Sequence, residues 1–191
     1  MAKIKLRNKL FSIIVRGNNK AHWLKILFKK LHSQKEKNFE IIFGDNNSND
    51  ETDELLKKYN IKKKIIIKNY KPGLAINKCL KYANGKYTII ISSHCIPLDN
   101  NWLSDYLYFM DNNLDIVAAF GKQIPLPGTS TKDQLDLNII FRNETFILKK
   151  DAYFNNANSI YRTNFLKKNI FNNNLTNIED RIWAKKINKD G

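Results

Sequence analysis

Cysteine is scarce: Cys79 and Cys95 are the only two in 191 residues. Their spacing fits neither a zinc-ligand pair nor a disulfide framework, so the expected compartment is a reducing cytoplasm. Long apolar runs are missing as well. None approaches the roughly 18 to 20 residues of a membrane-crossing helix. The run "LFSIIV" at residues 10–15 follows basic residues as a signal peptide would, but it is too short and no small-residue cleavage site comes after it. Acidic residues are few, 18 against 33 lysines and arginines, for a net charge of +15. Such a surface attracts nucleic acid, anionic lipid or phosphorylated small molecules. The lysines are spread along the chain, with one short run at residues 62–64, and no nucleic-acid-binding signature accompanies them. No specific nucleic-acid partner is expected; phosphates and a peripheral contact with an anionic membrane are.

What is present suits a globular domain. Hydrophobic residues make up 42% of the chain, enough for a core of good size. Short apolar runs at 10–15, 39–45, 63–68 and 87–92 read as strands. Between them, "AHWLKILFKKLH" at 21–32 has helical spacing, "SNDE" at 48–51 fits a capping box opening a helix through Tyr59, and Pro72-Gly73 starts a helix carrying Ile76, Leu80 and Ala83. The turn pair Asn84-Gly85 closes that helix. In the second half, 116–127 reads as a strand with a turn, 159–168 as a strand running into a short helix, and 176–187 as a last helix with an acidic pair in its first turn. Residues 132–157 give no clear assignment. Neither a repeat nor a linker interrupts the chain, which predicts a single domain.

Alternating strands and helices imply crossover connections and a largely parallel sheet. Ligands of such sheets bind at the carboxyl ends of the strands. Those ends carry residues 16–19, 45–47 and 92–95, so Arg16, Asn19, Asp45, Ser92, Ser93 and His94 should converge on one crevice. Each also has a plainer use. Asp45 would cap the turn before the next helix, Asn19 would be an N-cap, Gly73 would punctuate a helix start, and His94 would be a solvated turn residue.

Four stretches in order resemble the family 2 glycosyltransferases. They are "FSIIVRGNNKAHWLKILFKKLHSQ", "FEIIFGDNNSNDET", "KPGLAINKCLKYANGKYTIIISSHCIPLDNNWL" and "NIEDRIWAKK". The resemblance covers nearly the whole chain. It implies the GT-A fold, a Rossmann-like α/β/α sandwich with a mostly parallel central sheet. It also implies inverting transfer of a sugar from a nucleotide-diphosphate donor to a glycan or lipid-linked acceptor, as in the making of a capsule or lipopolysaccharide. By resemblance, Asp45 reads the nucleotide base, and Arg16, Asn19, Gly73, Asn77, Ser92, Ser93 and Asn158 lie along the nucleotide-sugar. Glu179 and Asp180 match the catalytic Glu-Asp, with Asp180 as the base that takes the acceptor proton. The bland alternative is that both acids complement a helix dipole.

Two departures bear on activity. Ser92, Ser93 and His94 stand where the family has Asp-x-Asp, whose carboxylates hold a divalent cation, Mg²⁺ or Mn²⁺, on the diphosphate. Ser92 brings no charge, while His94 could offer one nitrogen to a metal or donate to the diphosphate directly. The family's Glu-Asp helix is also followed by another strand, often with a histidine that completes the metal site. Residues 1–191 are therefore expected to be one GT-A domain lacking that C-terminal strand segment. The competing readings are a degenerate domain that binds a nucleotide or a partner without turnover, and a basic nucleic-acid-binding protein.

Overall fold

The computed structural model describes residues 9–141, 143–148 and 153–190. Among them, six strands form one sheet: β1 (Phe11–Gly17), β2 (Phe39–Asp45), β3 (Lys63–Ile66), β4 (Tyr87–Ser92), β5 (Ala118–Phe120) and β6 (Asn158–Arg162). The helices are α1 (Ala21–His32), α2 (Thr52–Lys58), α3 (Pro72–Leu80), α4 (Trp102–Asn112), α5 (Thr131–Ile140), α6 (Thr163–Lys168) and α7 (Glu179–Asp190). The spatial order is β3-β2-β1-β4-β6-β5. β1 to β4 are mutually parallel, and β6 runs antiparallel to both β4 and β5. This is the mostly parallel α/β sandwich that the strand-helix alternation predicts.

Side chains alternate across a strand, and β1 uses both faces. Ile13 and Val15 pack in one core with Leu24, Leu27, Phe28 and Leu31 of α1. Ile14 packs in the other with Ile76, Cys79 and Leu80 of α3 and Trp183 of α7. Burying each such aliphatic side chain contributes about 1.5–3 kcal/mol. Both faces being covered explains why these strands read as continuous apolar runs rather than alternating ones.

One polar knot sits at the amino-terminal ends of β1 and β2. Ser12 is fully buried. Its Oγ accepts from the Gly85 N–H at 2.8 Å and the Asn84 N–H at 3.0 Å, and donates to Glu40 Oε1 at 2.7 Å. Glu40 Oε2 meets Lys63 Nζ at 2.6 Å. Burial raises the Glu40 pKa, but the bonds from Lys63, Asn84 and Ser12 outweigh it and hold the carboxyl below its ordinary value.

Several sequence expectations are corrected. α4 was not expected: "WLSDYLYFMDN" is rich in aromatics, yet Leu103, Tyr106 and Met110 are its buried face at helical spacing. The expected strand at 116–127 shrinks to β5, and α5 occupies part of the unassigned 132–157 stretch; Arg142 and residues 149–152 lie outside the described residues. α5 buries no side chain, so its apolar pattern carried little signal. "SNDE" does not form a capping box, for Asp50 rather than Ser48 accepts from the Thr52 N–H. The last helix begins at Glu179 rather than Thr176.

Candidate functional site

The carboxyl ends of β1, β2 and β4 do lie side by side. In register, Arg16 pairs with both Gly44 and Ser92, and Gly17 pairs with Asp45. Two loops rise from this edge, one between β1 and α1 and one between β2 and α2. Asn18 Nδ2 donates to the Asn46 carbonyl at 2.6 Å, the Asn19 N–H to Ser48 Oγ at 3.0 Å, and the Asn49 N–H to Asn19 Oδ1 at 2.8 Å. Asp50 Oδ2 accepts from the Ala21 N–H at 2.8 Å, so an acid of the second loop satisfies a free amide of α1. Asn19 is therefore a loop cross-tie and not the N-cap. Asn19 and Asn47 both adopt positive φ, 50° and 59°, which asparagine tolerates better than most residues.

Asp45 is 1% exposed. Its Oδ1 accepts from the Ser48 N–H at 2.9 Å and Ser48 Oγ at 2.6 Å. Its Oδ2 lies 3.0 Å from Lys64 Nζ but accepts no well-directed hydrogen bond. Lys64 also meets Asp53 Oδ1 at 2.5 Å, and although burial pulls its pKa down, Asp53 and Asp45 hold the ammonium above the usual lysine value. The turn-capping use of Asp45 is thus realised in full, and only Oδ2 has capacity left for another donor.

Opposite these loops, α7 begins with the acidic pair. Asp180 Oδ2 accepts from the Asn156 N–H at 2.9 Å and Asp180 Oδ1 from the Arg181 N–H at 2.8 Å. Asn156 Nδ2 donates to Glu179 Oε1 at 3.3 Å. Arg16 Nη1, reaching across from β1, lies 3.8 Å from the same Glu179 oxygen and donates to the Pro72 carbonyl at 3.4 Å. Ile178, just before the pair, has φ of 51°, a strained conformation for a β-branched residue that turns the chain sharply into α7.

Asn156 is the residue that sequence reasoning missed. It is 2% exposed, and its Oδ1 accepts from Ser159 Oγ at 3.3 Å and from Tyr161 Oη. Burial pushes the Tyr161 phenol well above its ordinary pKa, so it stays a donor. These bonds fix which end of the Asn156 amide faces Glu179. The stretch "NNANS" signalled only an asparagine-rich turn.

At the end of β4, the Cys95 N–H donates to the Ser92 carbonyl at 3.0 Å, forming a turn. Ser93 is buried and His94 exposed. Loss of hydration around the ring, then the Lys20 and Arg16 charges, lower the His94 pKa, which favours the neutral imidazole.

Comparison with known proteins identifies the lineage. Residues 12–174 match Glycosyl transferase family 2. The chain belongs to this family. An uncharacterized glycosyltransferase of Methanocaldococcus jannaschii is 32% identical over 118 residues, 58% of this chain and 40% of the relative. S. aureus TarS 1-349 superposes with a TM-score of 0.74 at 23% identity, over 91% of this chain and 53% of that one; it has also been solved with UDP-GlcNAc. A mannosyltransferase of Pyrobaculum calidifontis, in complex with GDP-Man and Mn²⁺, gives a TM-score of 0.69 at 14% identity, over 95% of this chain and 52% of that one. The chain thus spans about half the length of these proteins or less, and shares the GT-A fold.

Against this family pattern, three expected nucleotide-sugar residues have structural tasks. Gly73 lets α3 approach the loop between α6 and α7, since a Cβ there would stand 2.4 Å from the Asn172 carbonyl oxygen. Asn77 is buried, and its amide is spent: Nδ2 donates to the Phe171 carbonyl and Asn173 Oδ1, both at 2.8 Å, and Oδ1 accepts from the Phe171 N–H at 3.2 Å. Asn158 braces α4 against the sheet, its Oδ1 accepting from Trp102 Nε1 at 3.1 Å and Tyr106 Oη at 2.9 Å. Asn158 also lines a mainly apolar cavity of about 620 Å³ together with Trp102, Phe120 and Trp183. A second cavity of about 320 Å³ is lined by Arg16, Tyr70, Tyr153, Glu179 and Asp180.

The family pattern implies a divalent cation, which needs several oxygen or nitrogen ligands. Among the described residues, no group of three histidine, cysteine, aspartate or glutamate side chains could hold one. His94 stands alone, and the charges that act on it, Lys20 and Arg16, are positive. Ser92, Ser93 and His94 bring no carboxylate, so by themselves these three side chains do not fit a divalent cation.

Proposed function

We propose that this chain is an inverting glycosyltransferase that moves a sugar from a nucleotide-diphosphate donor to a hydroxyl of a polysaccharide or lipid-linked acceptor in surface glycan synthesis. The observation that carries this reading is the acidic pair Glu179-Asp180, braced by Asn156 and set across the crevice from Arg16. In the reaction, the acceptor oxygen attacks the anomeric carbon from the face opposite the diphosphate. The new C–O bond forms as the bond to the phosphate oxygen breaks, and the electron pair leaves with the nucleotide. A single displacement inverts the centre. Asp180 takes the hydroxyl proton; each of its oxygens accepts one backbone N–H, and a carboxylate has lone pairs to spare. Glu179 holds Arg16 and Asn156 in position beside it.

Family membership supports the transfer chemistry. The donors bound by the similar structures, UDP-GlcNAc and GDP-Man, are the first to try. The apolar, aromatic cavity beside Asn158 suits the faces of an acceptor sugar or its lipid. The net charge of +15 supports work on the cytoplasmic side of an anionic membrane. Asp180→Asn keeps the shape and removes the base, so turnover should fall by roughly 10² or more with donor affinity unchanged. Equal turnover in the mutant would remove Asp180 from catalysis. The second reading, a nucleotide-binding domain without turnover, draws on the loss of Asp-x-Asp at residues 92–94. Donor binding without transfer or hydrolysis for any donor would favour it.

A further inference from the structure

Among the described residues, the charged side chains lining the smaller cavity are Arg16, Glu179, Asp180 and Arg181. Three of them are accounted for. Arg16 and Glu179 face one another at 3.8 Å, and Asp180, the proposed base, accepts two backbone N–H groups. Arg181 is different. It is exposed, and its side chain makes no ion pair or hydrogen bond among the described residues, not even with the neighbouring Asp180. It is nevertheless held in place. Its guanidinium carbon lies 3.8 Å from the centre of the Tyr153 ring, which is van der Waals spacing for a planar group lying face-on. Stacking uses the flat face of a guanidinium. The five N–H donors lie in its plane and stay free at the edge. Tyr153 and Tyr70 line the same cavity, whose volume of about 320 Å³ is at the small end for ligand sites and suits one sugar residue against an aromatic wall.

We propose that Arg181, held on Tyr153, selects acceptors that carry an oxyanion, a carboxylate or a phosphate, beside the hydroxyl that Asp180 deprotonates. The inference rests on the role proposed for Asp180 and adds the class of acceptor. Asp180 and Arg181 are consecutive residues in the first turn of α7 and line one cavity, so a group held by Arg181 lies within one sugar residue of the base. Charge balance points the same way. Arg16 and Glu179 cancel as a unit, and Asp180 alone would repel an anionic acceptor. Arg181 supplies the missing cation. Its planar fork takes two oxygens of a carboxylate or phosphate at once, which sets the orientation of the sugar as well as its position. The stack on Tyr153 orders the fork in advance, so less freedom is lost on binding. The plainer use of Arg181 is to brace Tyr153 against α7, and that use is indifferent to the charge of a ligand.

The test titrates the isotope-labelled full chain, saturated with UDP, with three probes: glucuronate, glucose 6-phosphate and neutral methyl glucoside. UDP keeps the probes out of the nucleotide site, and the backbone amide and Arg181 side-chain N–H resonances report where each probe sits. At least one acidic probe should shift the Arg181 side chain and bind roughly tenfold or more tightly than methyl glucoside, as a charge-assisted contact does. Tighter binding of glucuronate assigns a carboxylate, tighter binding of glucose 6-phosphate assigns a phosphate, and parity assigns the shared oxyanion. Arg181→Gln should bring acidic and neutral probes within about twofold of each other. Arg181→Lys, which keeps the charge without the fork, should keep part of the preference. Acidic probes that bind the wild-type chain no better than methyl glucoside, or that keep their advantage in Arg181→Gln, overturn the assignment and leave Arg181 a brace for Tyr153. An acidic probe that binds the free chain but is displaced by UDP overturns it as well. Failure of UDP itself to bind overturns the nucleotide-sugar reading separately, because the same three probes are then compared on the free chain.

Discussion

Arg16 Nη1 stands 3.8 Å from Glu179 Oε1, with 10% and 7% of the two side chains exposed. This pair joins the first strand to the last helix across most of the sequence. Removing one partner of a buried pair leaves the other charge stranded. Glu179→Ala should therefore destabilise the fold by about 3 kcal/mol, toward the lower end for a broken buried pair because the contact is long. Glu179→Gln should cost less, since Asn156 Nδ2 keeps an acceptor. Urea unfolding of both variants checks the order.

Asn156 ties the acids to the sheet, and its loss should be felt in two ways. Asn156→Ala strips partners from Glu179, Ser159 and Tyr161, at a cost of roughly 1–3 kcal/mol for buried groups left unmade. The Asn156 N–H to Asp180 survives the substitution, but the side-chain tie to Glu179 does not; where that tie holds the acidic pair in place, turnover should fall at least tenfold while donor Kd stays near wild type. Single-turnover kinetics beside a binding titration separates the two effects.

Ser12→Ala removes the acceptor of two turn amides and the donor to Glu40. A loss of about 1–3 kcal/mol is expected, with faster hydrogen exchange at the Gly85 amide. Unchanged exchange at Gly85 would show that water replaces the hydroxyl.

Both thiols are suppressed by burial, Cys79 to a pKa of about 12 and Cys95 to about 11, from an ordinary 9.0. At pH 8 the thiolate population of native Cys79 should be roughly a thousandfold below that of the unfolded chain, and its reaction with a disulfide reagent slower at least in proportion. The sign of the linkage follows. Well below pH 9 the thiols are protonated in both states and add no pH dependence. From pH 9 toward 12 the unfolded state loses protons that the native state keeps, so stability falls as pH rises. Melting temperatures measured across that range test this.

The fold was largely legible because β1, β2 and β4 are covered on both faces and carry uninterrupted apolar runs. Their carboxyl ends followed from topology, so Arg16, Asp45 and Ser92 were correctly brought together. What the residues could not reveal was how their polar atoms are spent. Nothing in "KPGLAINK" says that Asn77 binds a backbone 94 residues away, or that Gly73 makes room for the same loop. Asn156 escaped because its importance lies in partners distant in sequence. α5 escaped for the opposite reason: it buries nothing, so no periodic core face marked it.

The four hydrogen bonds that lace residues 18–21 to residues 46–50 make two connectors into one mechanical part. Neither can open alone without breaking bonds in the other. An event at the rim near Lys20 is therefore felt in the turn capped by Asp45, and occupancy of either end raises the cost of fraying at both. Local openings of this edge should be concerted, and a nucleotide that spans it would meet a stiff jaw in place of two independent flaps.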